Sequence, residues 1–454
     1  MGFNMLSECL KNVFSWLEDD KVTLYSSILV NRTWCRTATP YLWKNPFKLV
    51  SHENVYKLIC IYFKSMSSEI FIDDSDDVNF YFLQDSRKPN SGYSKLKSLH
   101  LDYCCDGHTL DCISKNCRTI EELWISLAER TIEIKPLCDL ITSQKSLKDF
   151  RIRSSTMIME YYFNIPDVLL EALETHKDSL TTLQFFCCQF YQCQSFKPIS
   201  ECKNLKRLGF FNCEGMTHSK IFHLAAKGNL PKLKVLAIAV YDEFSSDVII
   251  GMIKNSHNTL KRVSLPMATP DNGINHVMNA MKSFCYENLR GITVNFMAGD
   301  HNNFENFLSL LEKCQNLERI CIEGGDFEGF PLDFDSEEMS LKFRKLTKKL
   351  PKKLYKLVFY NVSITPSLLL SFLKDLKSSS LKVLGFYECP LFEDLHIEMI
   401  IEYVQDPNNA LENLIINWCD FITENIINRA RQYIKKVDFS DIEPHEMEFT
   451  AWLE

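Results

Sequence analysis

Nothing in these 454 residues reads as a reaction centre. There is no GxxxxGK(S/T) loop, no GxGxxG after a strand, no HExxH and no GxSxG, so nucleotide, dinucleotide, zinc-protease and esterase chemistry lose their usual supports. The 11 histidines are scattered and cysteine pairs such as Cys187 and Cys188 lack zinc spacing, so no metal and no cofactor is expected. No apolar run is long enough to span a bilayer and no basic, apolar, cleavable leader opens the chain; MGFNML also misses the myristoylation pattern, with Leu6 where Ser or Thr is needed. Positive charge is in deficit, 51 Lys and Arg against 59 Asp and Glu, and the formal net charge of −8 argues against a duplex-binding surface. The expectation is a non-enzymatic chain of the cytoplasm and/or nucleus, with no membrane or nucleic-acid partner, whose 18 cysteines stay reduced.

What the chain does have is one short phrase: an apolar residue, two of anything, an apolar residue, one of anything, an apolar residue. It occurs thirteen times, from LKSLHL at Leu96 through LKRLGF at Leu205 and LKVLGF at Leu381 to IKKVDF at Ile434. Three apolar positions match often by chance in a chain that is 46% hydrophobic, so the spacing carries the reading. Successive phrases start 23 to 37 residues apart, about 28 on average. Cysteine keeps the same time: Cys104, Cys188, Cys213, Cys389 and Cys419 fall three residues after the last apolar residue of a phrase, and Cys117, Cys202 and Cys314 three residues before one. A small, weakly polar thiol suits a tight corner. Between phrases a helical period follows, as in NFENFLSLLEKC and ENIINRARQYI. This pattern resembles a leucine-rich repeat. The fold class it implies is α/β, a solenoid of about thirteen units over 96–454 with a parallel sheet inside and helices outside.

The first 46 residues follow another pattern. LSECLKNVFSWL places apolar residues on one helical face, Asp19 and Asp20 break the run, KVTLYSSIL starts a second helix, and Asn31 is placed to cap a third that Pro40 ends. Leu6, Glu8, Leu10, Val13, Phe14, Leu17, Asp20, Leu24, Val30, Asn31, Arg32, Trp34, Leu42 and Trp43 together resemble an F-box, with one departure, Ser7 in the usual proline position. F-box first and cysteine-bearing repeats after is an order similar to that of F-box/leucine-rich-repeat proteins. The resemblance implies a non-catalytic substrate receptor of a cullin-based ubiquitin ligase. In that role Leu6, Leu10, Phe14, Leu17, Leu24, Val30, Trp34, Leu42 and Trp43 hold a Skp-type adaptor and, through it, cullin, and the repeats hold an unknown protein substrate. A helical cap on the open end of a solenoid is the plain alternative for this segment. An F-box protein acting outside ubiquitin transfer, and a repeat scaffold with no ligase role, are the alternatives for the whole. Residues 47–95 read as a linker, with a helix from near Ser51 and a solvated acidic loop, IDDSDD.

Residues between and just after the apolar positions point away from the core, so the substrate-facing surface is readable. It presents Trp124, Arg151, Arg153, Phe186 and Phe211 on early strands and Tyr360 and Tyr387 on later ones, aromatics and arginines of the kind that make binding hot spots, or rings that simply stack across the sheet. A rival site is the long interval after Leu317, where an acidic loop precedes the basic run LKFRKLTKKLPKKLYK with Lys348, Lys349, Lys352 and Lys353. Such a run is also what a solvated outer helix looks like.

Overall fold

The computed structural model describes residues 2–17, 20–42, 97–101, 107–127, 134–154, 162–239, 244–265, 273–296, 301–324, 331–334, 336–376, 380–419 and 421–440. The chain divides into two compact units, Met1–Leu183 and Gln184–Glu454. The expected linker helix near Ser51, the IDDSDD loop, Cys104 and the acidic C-terminal segment lie outside the described residues.

Three helices open the first unit: α1 (Gly2–Trp16), α2 (Lys21–Ile28) and α3 (Arg32–Leu42). Asp20 caps α2 by accepting the Thr23 N–H at 3.0 Å, and Asn31 caps α3 by accepting those of Thr33 and Trp34 at 2.9 and 3.0 Å. Contrary to the expectation from sequence, α3 does not stop at Pro40 but runs on to Leu42. A proline so close to a helix end forfeits a single N–H donor, which the last turn tolerates.

The α/β part is a parallel sheet of thirteen principal strands in chain order. In the first unit β1 (Ser98–Leu101), β2 (Glu122–Leu127) and β3 (Asp149–Ser154) pair in parallel. Next in the chain comes β4 (Thr182–Phe186). The second unit carries β5 (Arg207–Phe211), β6 (Val235–Ala239), β7 (Arg262–Ser264), β8 (Gly291–Phe296), β9 (Arg319–Gly324), β10 (Lys356–Tyr360), β11 (Val383–Tyr387), β12 (Asn413–Asn417) and β13 (Lys436–Ser440). Each strand begins two residues after its phrase does, so the first apolar residue is the corner into the strand and the other two lie on its core side. Helices return between strands and bury the predicted faces: Phe304, Phe307, Leu308 and Leu311 on His301–Lys313, and Ile426, Ile427 and Ala430 on Glu424–Tyr433.

The core of the second unit is rich in phenylalanine. Phe210 is surrounded by Phe185, Phe190, Phe196 and Phe244, with ring centroids 5.7 to 6.4 Å away and mostly tilted or edge-on. That geometry favours the electrostatics of aromatic pairs as well as their area. Further along, Phe343, Phe359, Phe372, Phe386 and Phe392 continue the contact from ring to ring.

The corners explain the cysteines. Cys187, Asn212, Asn361, Glu388 and Trp418, each directly after a strand, have φ between 48 and 56°, the left-handed region. The turn brings the next residue back over the strand, and where that residue is cysteine its thiol lies against the carbonyl two residues earlier: Cys188 Sγ to Phe186 O at 3.2 Å, Cys213 to Phe211 at 3.3 Å, Cys389 to Tyr387 at 3.4 Å and Cys419 to Asn417 at 3.6 Å. The cysteines whose side chains are described are free thiols. Burial pushes Cys285 and Cys314 up to about 12, and holds Cys188 and Cys389 well up, each further raised by the neighbouring Cys213 or Cys419. Thiols of that kind hold almost no thiolate at neutral pH and are inert. Reductant is therefore expected to leave the melting temperature nearly unchanged in calorimetry; the fall that follows loss of a disulfide, about 2 to 5 kcal/mol, would overturn this account of the cysteines.

Among the described residues no helix is long and apolar enough to cross a membrane, and no three His, Cys, Asp or Glu side chains gather where they could hold a metal ion.

Candidate interaction surfaces

The three-helix segment has a small core of its own. Leu10, Phe14, Leu24 and Ala38 are buried, with Leu17, Ile28, Trp34 and Tyr41 packed on them, and the Phe14 ring meets Trp34 edge-on at 5.5 Å. Leu10, Phe14 and Leu24, three of the residues expected to meet an adaptor, are thus turned inward. So short a helical segment has only a small core, and the apolar side chains that its three helices turn toward one another fill it. The apolar groups left facing solvent are Val13, Trp16, Tyr25, Leu29 and Val30. Trp16 is 91% exposed, so its indole rests on nothing among the described residues. It lies two residues from Phe14, about 200° round the helix. Val13 and Trp16 are one turn apart on α1, as are Tyr25 and Leu29 on α2 and its last turn. Of the expected set, Val30 is exposed, Leu17 and Trp34 are half-buried, the side chains of Leu6 and Leu42 are outside the described set, and Trp43 lies outside the described residues.

On the sheet of the first unit, Trp124 pairs in register with His100 on one side and Arg151 on the other. Its ring stacks on His100 at 4.4 Å and the Arg151 guanidinium sits over it at 5.2 Å from the centroid. Arg151 is already engaged by Asp149 on its own strand through a two-pronged pair, Nε to Oδ1 at 2.9 Å and Nη2 to Oδ2 at 3.0 Å. The fork is held rigid over the indole and its charge is partly answered. Arg153 lies beside Ser126 and is buried.

In the second unit Phe186 and Phe211 are stacked face to face at 4.7 Å and are only 1% and 5% exposed, so their faces meet each other, not solvent. Gly209 permits this: a Cβ there would lie 2.5 Å from Cε2 of Phe211, so the ring occupies the space above its own strand that a side chain would fill. Tyr360 and Tyr387 are register partners; the Tyr387 ring is buried with Cys321, Val358 and Ile415, and the Tyr360 hydroxyl donates to Glu388 Oε1. The seven residues expected to face substrate thus fall into three sets, Trp124 with Arg151 and Arg153, Phe186 with Phe211, and Tyr360 with Tyr387. The aromatics of each set are packed among their own neighbours.

The first part of the basic run of the rival site forms a regular helix, Glu337–Lys349, capped by Ser336, while Lys352 and Lys353 lie beyond its end. Lys345 pairs with Glu305 at 2.9 Å and Lys349 with Glu312 at 3.0 Å, both on the preceding helix, and Lys342 with Glu338 at 2.7 Å. Two buried histidines have equally local duties. His176 bridges the Ile141 carbonyl at 2.8 Å and the Leu147 N–H at 3.4 Å, with burial lowering its pKa, and His396 bridges the Ile364 carbonyl and the Glu393 N–H at 2.8 and 3.1 Å. One group that the phrase pattern did not bring forward is the set of cations at its third position, Arg207, Arg262, Arg319 and Lys356, which share one row of the sheet.

No family model matches this chain, and no curated protein matches it. Among solved structures, the crystal structure of a protein from Bacteroides fragilis, a structural-genomics target, aligns over 72% of this chain and 76% of its own at 12% identity, with a TM-score of 0.33. A likeness of that size carries no argument about fold or function.

Proposed function

We propose that this chain is the substrate-recognition subunit of a cullin-based ubiquitin ligase. The opening three helices act as an F-box that docks a Skp-type adaptor, and the leucine-rich repeats present their strand faces to a target protein. The chain itself performs no chemistry in this role, which belongs to the cytoplasm or nucleus. The observation that carries the reading is the division of labour in the helical segment: F-box-like positions Leu10, Phe14, Leu24 and Trp34 build its core, and a set of large apolar groups, Val13, Trp16, Tyr25, Leu29 and Val30, is left for a partner to cover. An end cap for the repeats needs no such outward set.

The test is direct binding of the full chain to a Skp-type adaptor by calorimetry, with Trp16→Ala and Leu29→Ala as variants. Each is expected to weaken binding by about 2 kcal/mol or more while circular dichroism stays that of the parent. Because both side chains are exposed, loss of binding cannot be put down to unfolding. An adaptor that fails to bind the parent chain, or binds both variants as well as the parent, sinks the proposal. Co-purification of cullin then separates a ligase subunit from an F-box protein that works outside ubiquitin transfer.

A further inference from the structure

The residue immediately before each principal strand occupies the same place in its repeat, and the charges at that place follow a pattern. Before β1, β2 and β3 they are Lys97, Glu121 and Lys148, with Glu121 paired to the lysine on either side. Before β11, β12 and β13 they are Lys382, Glu412 and Lys435, and Glu412 is paired in the same way, at 2.8 and 3.3 Å. Lys148 and Lys97 hold the Glu121 carboxyl below the usual carboxylate range, and Lys382 and Lys435 do the same for Glu412.

Before β5, β6, β7 and β8 the pattern breaks. Here stand Lys206, Lys234, Lys261 and Arg290, and the backbone makes them consecutive neighbours: Lys234 N–H donates to Lys206 O at 2.7 Å, Lys261 to Lys234 at 2.8 Å and Arg290 to Lys261 at 2.7 Å. Arg290 reaches Glu318, the next residue of this ladder, at 3.7 Å. Lys206, Lys234 and Lys261 are exposed, and among the described residues none of their three ammonium groups makes a hydrogen bond or an ion pair. At about 4.8 Å per strand the four cations line roughly 14 Å of the strand-entry side. Like charges opposite one another on neighbouring strands destabilise a sheet. A glutamate in place of Lys234 would build the same triad as Glu121 and Glu412 do. The ridge thus runs against the local electrostatics and against a net charge of −8, as a surface that meets an anionic partner does. Its length selects among anions. A nucleic-acid strand or an anionic bilayer carries its charge on past the ridge, onto Glu318 and a chain that is negative overall. A short acidic peptide ends where the ridge ends.

We propose that Lys206, Lys234 and Lys261, with Arg290 at their end, dock a run of about four acidic residues of a protein partner, extended at roughly 3.3 Å per residue. Three lysines on flexible stems are point charges without a fixed fork, so they supply attraction and speed of encounter more than a rigid geometry. The contact is therefore strongly weakened by salt. The ridge lies on different residues from the helical segment and stands whether or not that segment binds an adaptor.

The experiment is fluorescence anisotropy of the full chain at low ionic strength with a labelled octapeptide carrying four consecutive glutamates between glycine–serine pairs. Parallel arms use its glutamine counterpart, a deoxythymidine decanucleotide and phosphatidylserine vesicles. The glutamate peptide is expected to bind, more weakly as salt is raised, and the glutamine peptide not to. Lys206→Gln, Lys234→Gln and Lys261→Gln should each weaken binding about threefold, and the three together about thirtyfold. Lys382→Gln, at the same place in its repeat but paired with Glu412, should change it little. The melting temperature of the triple variant should hold or rise, since opposed like charges are removed. Changing the same three lysines to glutamate should confer binding of the corresponding lysine peptide, a gain that misfolding cannot imitate. A glutamate peptide that fails to bind, equal binding of the glutamine peptide, full affinity in the triple glutamine variant, or tighter binding of the oligonucleotide or the vesicles overturns the proposal.

Discussion

Phe210→Ala is expected to destabilise the second unit by about 3 to 5 kcal/mol, the range for deleting a buried aromatic ring. Phe210 is fully buried and touches four other rings, Phe185, Phe190, Phe196 and Phe244. Removing it takes away one wall from each, and rings already in contact with one another have little freedom to close the hole. The measurement is the midpoint of urea unfolding beside Phe222→Ala, a ring that is exposed and meets His223. The second substitution should cost little, because water already bathes the ring. If the two midpoints fall together, the phenylalanine cluster is not what holds this unit.

The second large effect is a dependence on pH. Glu323 on β9 lies between Asn295 and Tyr360 in the register, with Cys321 two residues before it on the same face. Burial pushes its carboxyl up to about 7 and Glu388, itself joined to the Tyr360 hydroxyl, adds to the rise, while the Asn295 amide acts the other way. The folded chain therefore holds a proton that the unfolded chain releases near pH 4.5. Stability from this group is complete below about 4.5 and is lost as pH rises through about 7, a loss of roughly 3 kcal/mol at one pKa unit per 1.4 kcal/mol. Glu323→Gln should be more stable than the parent at pH 8 and lose that part of the slope. Parallel unfolding midpoints for the two chains across this range would show that Glu323 titrates normally.

The strands were legible because two signals coincide: an apolar phrase that marks a strand, and a spacing that allows only parallel neighbours joined by helices. Cysteine added a third, since corner after corner presents the same small site, as the thiol contacts of Cys188, Cys213, Cys389 and Cys419 bear out. The direction of individual side chains was harder to read. Phe186 and Phe211 stand just after their phrases, at positions that point outward, yet Gly209 lets one ring fold over its own strand onto the other. In the helical segment the apolar face was visible, but which part of it becomes core depends on what α2 and α3 bring to it; Leu10 and Phe14 went inward and Trp16 stayed out. The cations from Arg207 to Lys356 are separated by most of the second unit's length, and only the register makes them neighbours.

The left-handed corners have a consequence for how the chain assembles. Cys187 N–H donates to Phe211 O at 2.8 Å, Asn212 to Ala239 at 2.6 Å, Asn361 to Tyr387 at 2.8 Å and Glu388 to Asn417 at 2.9 Å, each reaching the last carbonyl of the following strand. A strand's exit turn is thus completed by a unit that comes later in the chain. During synthesis from the N-terminus, each of these four strands leaves such a donor waiting until the next has emerged, and growth there acquires a direction, like a zipper with its open teeth at the advancing end.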